Sequence, residues 1–362
     1  MEWISILKCP LTGQDLRLLE ALEIDKFNEK IAAGQLWQAD GAALPVNLQK
    51  GVITPDGRFI YPIINGILIL LKDLAIIDSP ANKLTDTLSD EKKLVKNFYD
   101  QQGWVKNEQG NYQDAVIYED LREVSSAYIR KCHKRVSRFL NPSGKYMLDA
   151  ASGALQFSEY LPYSSHYTYR VCVDLSFQAL SEARLKLGEK GIYVLCDITN
   201  LPFKSGVMDG FVSMNTIYHI PKDEQVLAIR ELYRVLASRG KGVVVYDWFR
   251  HSVWMNVGMF PFRVFVFLRN RLLDAMKKVF GTKTVHRRLY FYSHPPSYFR
   301  KHLPPYQLKV WRSLSVHFMR YYIHSWFFGK QILDWVYKQE EKYPEQCGLK
   351  GEYPMLVFEK DV

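Results

Sequence analysis

Three aspartates fall where apolar runs of the sequence stop. Asp149 ends "KYMLD", Asp174 ends "YRVCVD" and Asp197 ends "IYVLCD", while Asn215 follows "MDGFVSM". A rim of carboxylates suits a ligand carrying hydroxyls, an amine and a positive charge, and it repels a pyrophosphate. The loop behind Asp149, "DAASGALQF", holds only Gly153 where a nucleotide-cradling loop usually has two or three glycines. An acid directly ahead of such a loop also disfavours phosphates, which need uncrowded backbone amides at a helix N-terminus. Tyr218 and His219 follow the fourth run, and Tyr246 and Asp247 the fifth, all placed to face a second reactant. His219 is the candidate general base and Tyr218 its neighbour in the catalytic pair. Any one of the acids could be a helix N-cap or a solvated loop residue; four polar strand ends in series fit that account poorly.

The elements that must position these residues alternate in type. "YMLDA", "YRVCVD", "IYVLCD", "MDGFVSMN" and "GKGVVVYDW" are strand candidates rich in Val, Ile and Tyr. Between them "SFQALSEARLKLGEKG" puts Ala179, Leu180, Ala183 and Leu187 on one helical face, with Ser176 as N-cap and Gly191 beyond the end. "PKDEQVLAIRELYRVLASRGKG" predicts a second helix, with Pro221 at its start, Asp223 and Glu224 in its first turn, and Gly240 past its end. Strands alternating with helices predict an α/β fold with a parallel sheet, helices on both faces and ligands at the carboxyl ends of the strands.

Upstream, Asp56-Gly57 and Asn65-Gly66 mark tight turns between strand-like runs. Residues 1–75 therefore read as a small β-rich unit with one helical insert closed by Gly34. Residues 76–145 read as a linker and helical cap, and 146–362 as the main domain with an insert at about 248–330.

The chain has 362 residues, 48% hydrophobic and 24% charged, an ordinary globular composition. "MEWISILKCP" has no basic start before a long apolar run, so no signal peptide is expected, and no apolar stretch reaches the ~20 residues of a spanning helix. Five scattered cysteines, Cys9, Cys132, Cys172, Cys196 and Cys347, lack metal-ligand or redox spacing and read as free thiols of a reducing cytoplasm. The net charge of +10 is uneven: Trp248 to Lys330 holds fifteen Lys and Arg against one acid, Asp274, together with 21 of the 51 aromatic residues. Such a segment suggests a binding surface.

"LDAASGALQF", "VCVDLSFQALSEAR", "CDITNLPFKSGVMDGFVSMNTIYHI" and "ELYRVLASRGKGVVVYDW" resemble, in order and spacing, the successive motifs of class I S-adenosylmethionine-dependent methyltransferases, nearest the ubiquinone/menaquinone-type and small-molecule branch. The resemblance covers about Tyr146 to Trp248 and implies a Rossmann-like fold with S-adenosylmethionine as cofactor. It implies that Asp174, with Leu175 beside it, holds the ribose hydroxyls and that Asp197 with the Ile198 backbone reads the adenine. The loop Asp149, Ala150, Ala151, Ser152 and Gly153 would hold the amino-acid end, with Asn215 closing the site. The family's glycine positions map onto Ala151, Gly153 and Leu155. Ala151 is tolerable unless that position needs a positive φ, and Leu155 is expected at the start of a following helix with its side chain in packing. "ILKCPLTGQDL" and "DGRFIYPIINGILILL" resemble the ends of the small zinc-ribbon family that activates tRNA, rRNA and release-factor methyltransferases. Only Cys9 of its ligand set remains and Thr12 stands at the second position, so a metal-free relic is expected.

The leading expectation is methyl transfer to a small or lipid-like acceptor, amphiphilic or anionic, with the basic aromatic segment as a lid and a contact at a membrane surface. An RNA methyltransferase and a non-catalytic scaffold are the alternatives. Against RNA, "NTIYHI" stands where an amino-methylating Asn/Asp-Pro-Pro-Tyr/Phe motif would be.

Overall fold

The computed structural model describes residues 2–42, 44, 47–79, 83–84, 88–277 and 289–361. Parts of the proposed linker (80–82 and 85–87) and of the basic aromatic segment (278–288) lie outside the described residues.

Thirteen strands form one sheet. The N-terminal unit contributes β1 (Arg17–Leu18), β2 (Trp37–Gln38), β3 (Gly51–Ile53), β4 (Phe59–Ile64), β5 (Ile67–Ile69) and β6 (Ile76–Ile77). The remainder contributes β7 (Gly144–Ala150), β8 (Tyr167–Asp174), β9 (Gly191–Leu195), β10 (Met208–Met214), β11 (Leu236–Val245), β12 (Gln307–Arg312) and β13 (Tyr353–Glu359). Their order is β1-β3-β4-β5-β9-β8-β7-β10-β11-β13-β12, with β6 paired to β4 and β2 to β6. The five strands β9, β8, β7, β10 and β11 are mutually parallel, as the alternation of elements predicts. Their inner residues are buried on both sides, which is why they read as unbroken apolar runs. β13 runs antiparallel between β11 and β12 and closes one edge. Neither β12 nor β13 was expected from the sequence, because both stand apart from any strand–helix alternation.

The predicted turns are in place. Asp56-Gly57 joins β3 to β4 and Asn65-Gly66 joins β4 to β5, with Asn65 itself at φ 50°. The N-terminal unit does not sit beside the main sheet; it continues it, since β5 pairs in parallel with β9. The backbone at Leu7 and Lys8 bonds with the 202–203 turn, and Asn200 Nδ2 donates to the Pro10 carbonyl.

The helix after β8 spans Phe177–Leu187 with Ser176 Oγ accepting from Ala179 N; Ala179, Leu180 and Ala183 are buried as expected. It ends at Gly188 (φ 54°), three residues before the glycine expected to follow it. The second helix starts at Gln225, not Pro221, and at Leu236 the chain passes directly into β11, so Gly240 lies within a strand. Pro221 to Glu224 instead form a tight turn, fixed by the Glu224 N–H donating to the Pro221 carbonyl. No helix begins at Leu155; a 3-10 segment, Ser158–Ser164, follows the loop.

Candidate active site

A cavity of about 750 Å³ opens at the carboxyl ends of β7 to β11. Asp149, Ala151, Ser152, Gly153, Asp174, Leu175, Asp197, Ile198, Asn215, Tyr218 and His219 all line it. Ala150 does not: it is fully buried in the core, because alternation along β7 turns it away from its neighbours Asp149 and Ala151. Tyr246 also turns inward, its hydroxyl donating to Gln225 Oε1 (2.7 Å) and accepting from His294 N. Asp247 does face the cavity.

The loop after β7 needs three left-handed residues in five positions. Ala151 (φ 53°), Gly153 (φ 55°) and Leu155 (φ 50°) all adopt this conformation. Ala151 therefore carries the strain that the lost glycine would have avoided. Leu155 carries it too, offset by burial of its side chain beside Cys172, Leu180 and Tyr193. Gly153 cannot be substituted freely: a Cβ there would lie 2.5 Å from the Trp104 ring.

The rim is less anionic than its sequence implies. Arg170, buried in β8, donates to Asp149 Oδ2 from Nη2 (2.6 Å) and Nε (2.9 Å), and to the Tyr160 carbonyl. Lys92, from the helix Asp90–Phe98, donates to Asp197 Oδ2 (2.6 Å), to Thr199 Oγ1 (3.0 Å) and to Glu224. Asp174 faces no such cation. It accepts from Gly153 N and Ser176 N (both 2.9 Å), and burial pushes its carboxyl up to about 6 against those two hydrogen bonds. Arg170 was visible in the sequence as a cation inside an apolar run, which demands a buried acid nearby. Lys92 gave no such signal.

The amino-acid end of S-adenosylmethionine requires a donor for its carboxylate and acceptors for its ammonium. Trp104 Nε1 is a buried donor without a protein partner and Asn215 Oδ1 a buried acceptor without one, both on the cavity wall. With Asp174 at the next strand end, the residues fit the cofactor.

On the far side, His219 is half-buried. A carbonyl can only accept, so His219 Nδ1–H donates to the Tyr290 carbonyl (2.8 Å), leaving Nε2 as an acceptor. Burial lowers this imidazole to about 4, so it is neutral at pH 7. Tyr218 is buried against His219 and Phe291, and burial holds its phenol well above the usual value, fixing it as a neutral hydroxyl. From the basic aromatic segment, Phe249, Leu289, Phe291, Ser315, Val316 and His317 line the cavity. The helix Phe260–Lys277 contributes no lining residue among those described. Asp114, Glu119, Glu352 and Tyr353 also line this side and were not expected. All five cysteines are buried free thiols. Cys9 Sγ lies 3.2 Å from the Tyr61 hydroxyl, and no group of three metal-ligating side chains occurs among the described residues. Among them, too, no helix is long and apolar enough to cross a membrane.

Residues 148–244 match the family model described as a methyltransferase domain. A curated mouse (Mus musculus) protein named "Probable tRNA methyltransferase 9B" is 29% identical over 136 residues, 36% of this chain; the match spans 28% of that protein's length. Among solved structures, magnesium protoporphyrin IX methyltransferase from Synechocystis with bound SAM is 15% identical, covering 76% of this chain and all of that one at a TM-score of 0.40. Phosphoethanolamine N-methyltransferase 2 of Haemonchus contortus is 13% identical, covering 80% of this chain and 63% of that one at 0.43. The motif match and the strand-end site together identify residues 148–244 as a methyltransferase domain of the S-adenosylmethionine-dependent kind.

Proposed function

We propose that this chain is a working methyltransferase that methylates a small or amphiphilic acceptor. The carrying observation is that one cavity joins the cofactor residues at the ends of β7 to β10 with an aromatic pocket behind His219. When bound, S-adenosylmethionine supplies a methyl group on a sulfonium, a good leaving group. The protein's task is then alignment and exclusion of water. Asp174 and Leu175 hold the ribose, Asp197 and the Ile198 backbone read the adenine, and the loop from Asp149 to Gly153 with Asn215 and Trp104 holds the amino-acid end. His219 Nε2 is the acceptor placed to take a proton from the incoming group, and Tyr218 fixes its ring. Calorimetry with the demethylated cofactor tests the reading: micromolar binding is expected, and none at millimolar ligand would overturn it.

The N-terminal unit, in this reading, is a metal-free relative of the zinc-ribbon activators fused in cis, propping the sheet through the β5–β9 pairing. The basic aromatic segment serves a cytoplasmic protein as a peripheral membrane contact. Phe260, Phe265, Phe267 and Leu268 are exposed on the helix Phe260–Lys277, and Trp326, Phe327 and Phe328 are exposed nearby in the fold, where Phe262 packs on Tyr321. Each cation at an anionic surface adds about 1 kcal/mol. Co-sedimentation should rise with anionic-lipid content; indifference to lipid charge would remove the electrostatic contact. The aromatic pocket, with its acids, supports a small acceptor over a nucleic acid.

A further inference from the structure

We propose that the acceptor enters as a cation, a primary or secondary amine whose ammonium is held between Asp247 and Glu352. This rests on the methyltransferase reading and names the chemical class of its acceptor.

The two acids come from adjacent strands. Asp247 follows β11 and Glu352 precedes β13, and the Trp248 N–H donates to the Glu352 carbonyl (2.8 Å), so the two side chains emerge at one end of the sheet. Both line the cavity, at 7% and 6% exposure. Among the described residues Glu352 Oε2 is buried without a hydrogen-bond partner, although Ser252 hydrogen-bonds to the Glu352 carboxyl, and Asp247 Oδ1 accepts the Phe249 N–H (2.7 Å). A carboxyl oxygen left without a partner in an apolar pocket is disfavoured unless a ligand supplies a donor.

The cations facing this pair do not neutralise it. Arg312 is buried and donates from Nη1 to Glu119 (2.6 Å), its Nε is without a partner among the described residues, and its field reaches both Asp247 and Glu352. Arg263 also acts on Glu352, but it is exposed and donates to Asn256 Oδ1. Among the described residues, three buried carboxyls thus share one buried guanidinium. Burial raises both Asp247 and Glu352, and the charge of Asp247 raises Glu352 further, against the Ser252 hydrogen bond and the fields of Arg312 and Arg263. Phe249, Phe291 and Tyr353 line the same cavity, and the Tyr353 ring already carries the Arg312 guanidinium 4.7 Å from its centroid.

The pair is not a seat for the cofactor's own ammonium. β11 stands two strands from β7, about 10 Å across the sheet at ordinary strand spacing, whereas the glycine loop and Asp174 lie at β7 and β8. An anionic acceptor, one of the two kinds expected from the basic segment, would meet these acids directly.

The test uses three probes of one shape, phenethylamine, 2-phenylethanol and phenylacetate, titrated calorimetrically into the full chain at pH 7. The amine should bind at least tenfold more tightly than the alcohol, and phenylacetate most weakly. Asp247→Asn with Glu352→Gln should cut amine affinity at least tenfold and leave the alcohol unchanged. Equal affinity of amine and alcohol for the unmodified chain would overturn the proposal. The unmodified chain also gives a second readout that needs no variant. Seating an ammonium ionises the acid pair, so the heat of amine binding should shift with the buffer's ionisation enthalpy in the sense of proton release. No shift would equally overturn it. Titration of the demethylated cofactor into the same samples keeps the two readings apart. Its failure to bind would count against the cofactor site, while the ratio of amine to alcohol still decides the acceptor class.

Discussion

The two halves of the cavity, the one proposed for the cofactor and the one proposed for the acceptor, are built on opposite plans. The cofactor half comes from consecutive strand ends within Asp149 to Asn215, and two of its three acids are already paired, Asp149 by Arg170 and Asp197 by Lys92, with Asp174 held by two backbone N–H groups. The acceptor half gathers Glu119, His219, Asp247, Phe291, His317 and Glu352 from segments spread over more than two hundred positions of the chain. Its buried acids outnumber their cations. A site whose charges are already paired is preorganised for one constant ligand. A site with an unsatisfied acid pair is completed only by the ligand it selects.

That contrast can be broken most severely at His219. His219→Ala should lower turnover about 10²-fold while leaving affinity for the demethylated cofactor unchanged, since the residue belongs to the acceptor half. Equal turnover would take His219 out of the chemistry. Because the imidazole is already neutral above about pH 4, the unmodified enzyme should show no activity limb near pH 6.5 attributable to it.

Asp174 probes the other half. Asp174→Ala should weaken cofactor binding by about 1.5–3 kcal/mol, read by calorimetry, through loss of charge-assisted contacts to ribose hydroxyls. Its carboxyl is raised to about 6, so the charged form that accepts those hydroxyls is present above that pH and lost below it. Cofactor affinity should therefore tighten as pH rises through 6. A flat profile between pH 5 and 7 would remove Asp174 from the contact.

The smallest effects sharpen the account of the loop. Leu155→Gly relieves a left-handed residue but forfeits a buried leucine, for a net loss of about 1–2 kcal/mol. Ala151→Gly relieves the same strain with no packing to lose and should gain about 0.5–1 kcal/mol, less than the full strain because glycine is freer in the unfolded chain. Denaturant unfolding of both variants checks the pair; a destabilised Ala151→Gly would mean that the methyl contributes contacts which outweigh its backbone cost.

The five parallel strands, the acids at their ends, the helix capped by Ser176 and the turns at Asp56-Gly57 and Asn65-Gly66 were legible because each is encoded locally. Apolar runs specify buried strands, and an N-cap or an Asn-Gly pair acts within a few residues. Tertiary structure decided what lies beyond local reach. The pairing of β5 with β9, the late strands β12 and β13 and the neutralising contacts of Lys92 and Arg170 depend on segments separated by 21 to 126 positions. So does the meeting of Asp247 with Glu352, because nothing in an isolated glutamate near the C-terminus shows that its partner is an aspartate a hundred residues earlier. The sequence by itself therefore determined the strand-end acids and the loop of the proposed cofactor half, where neighbours in the chain are neighbours in the sheet, but not Lys92 or Trp104 beside them. The acceptor half was decided only when folding brought distant acids and aromatics to one wall, since charge and burial are properties of surroundings that no single stretch of sequence contains.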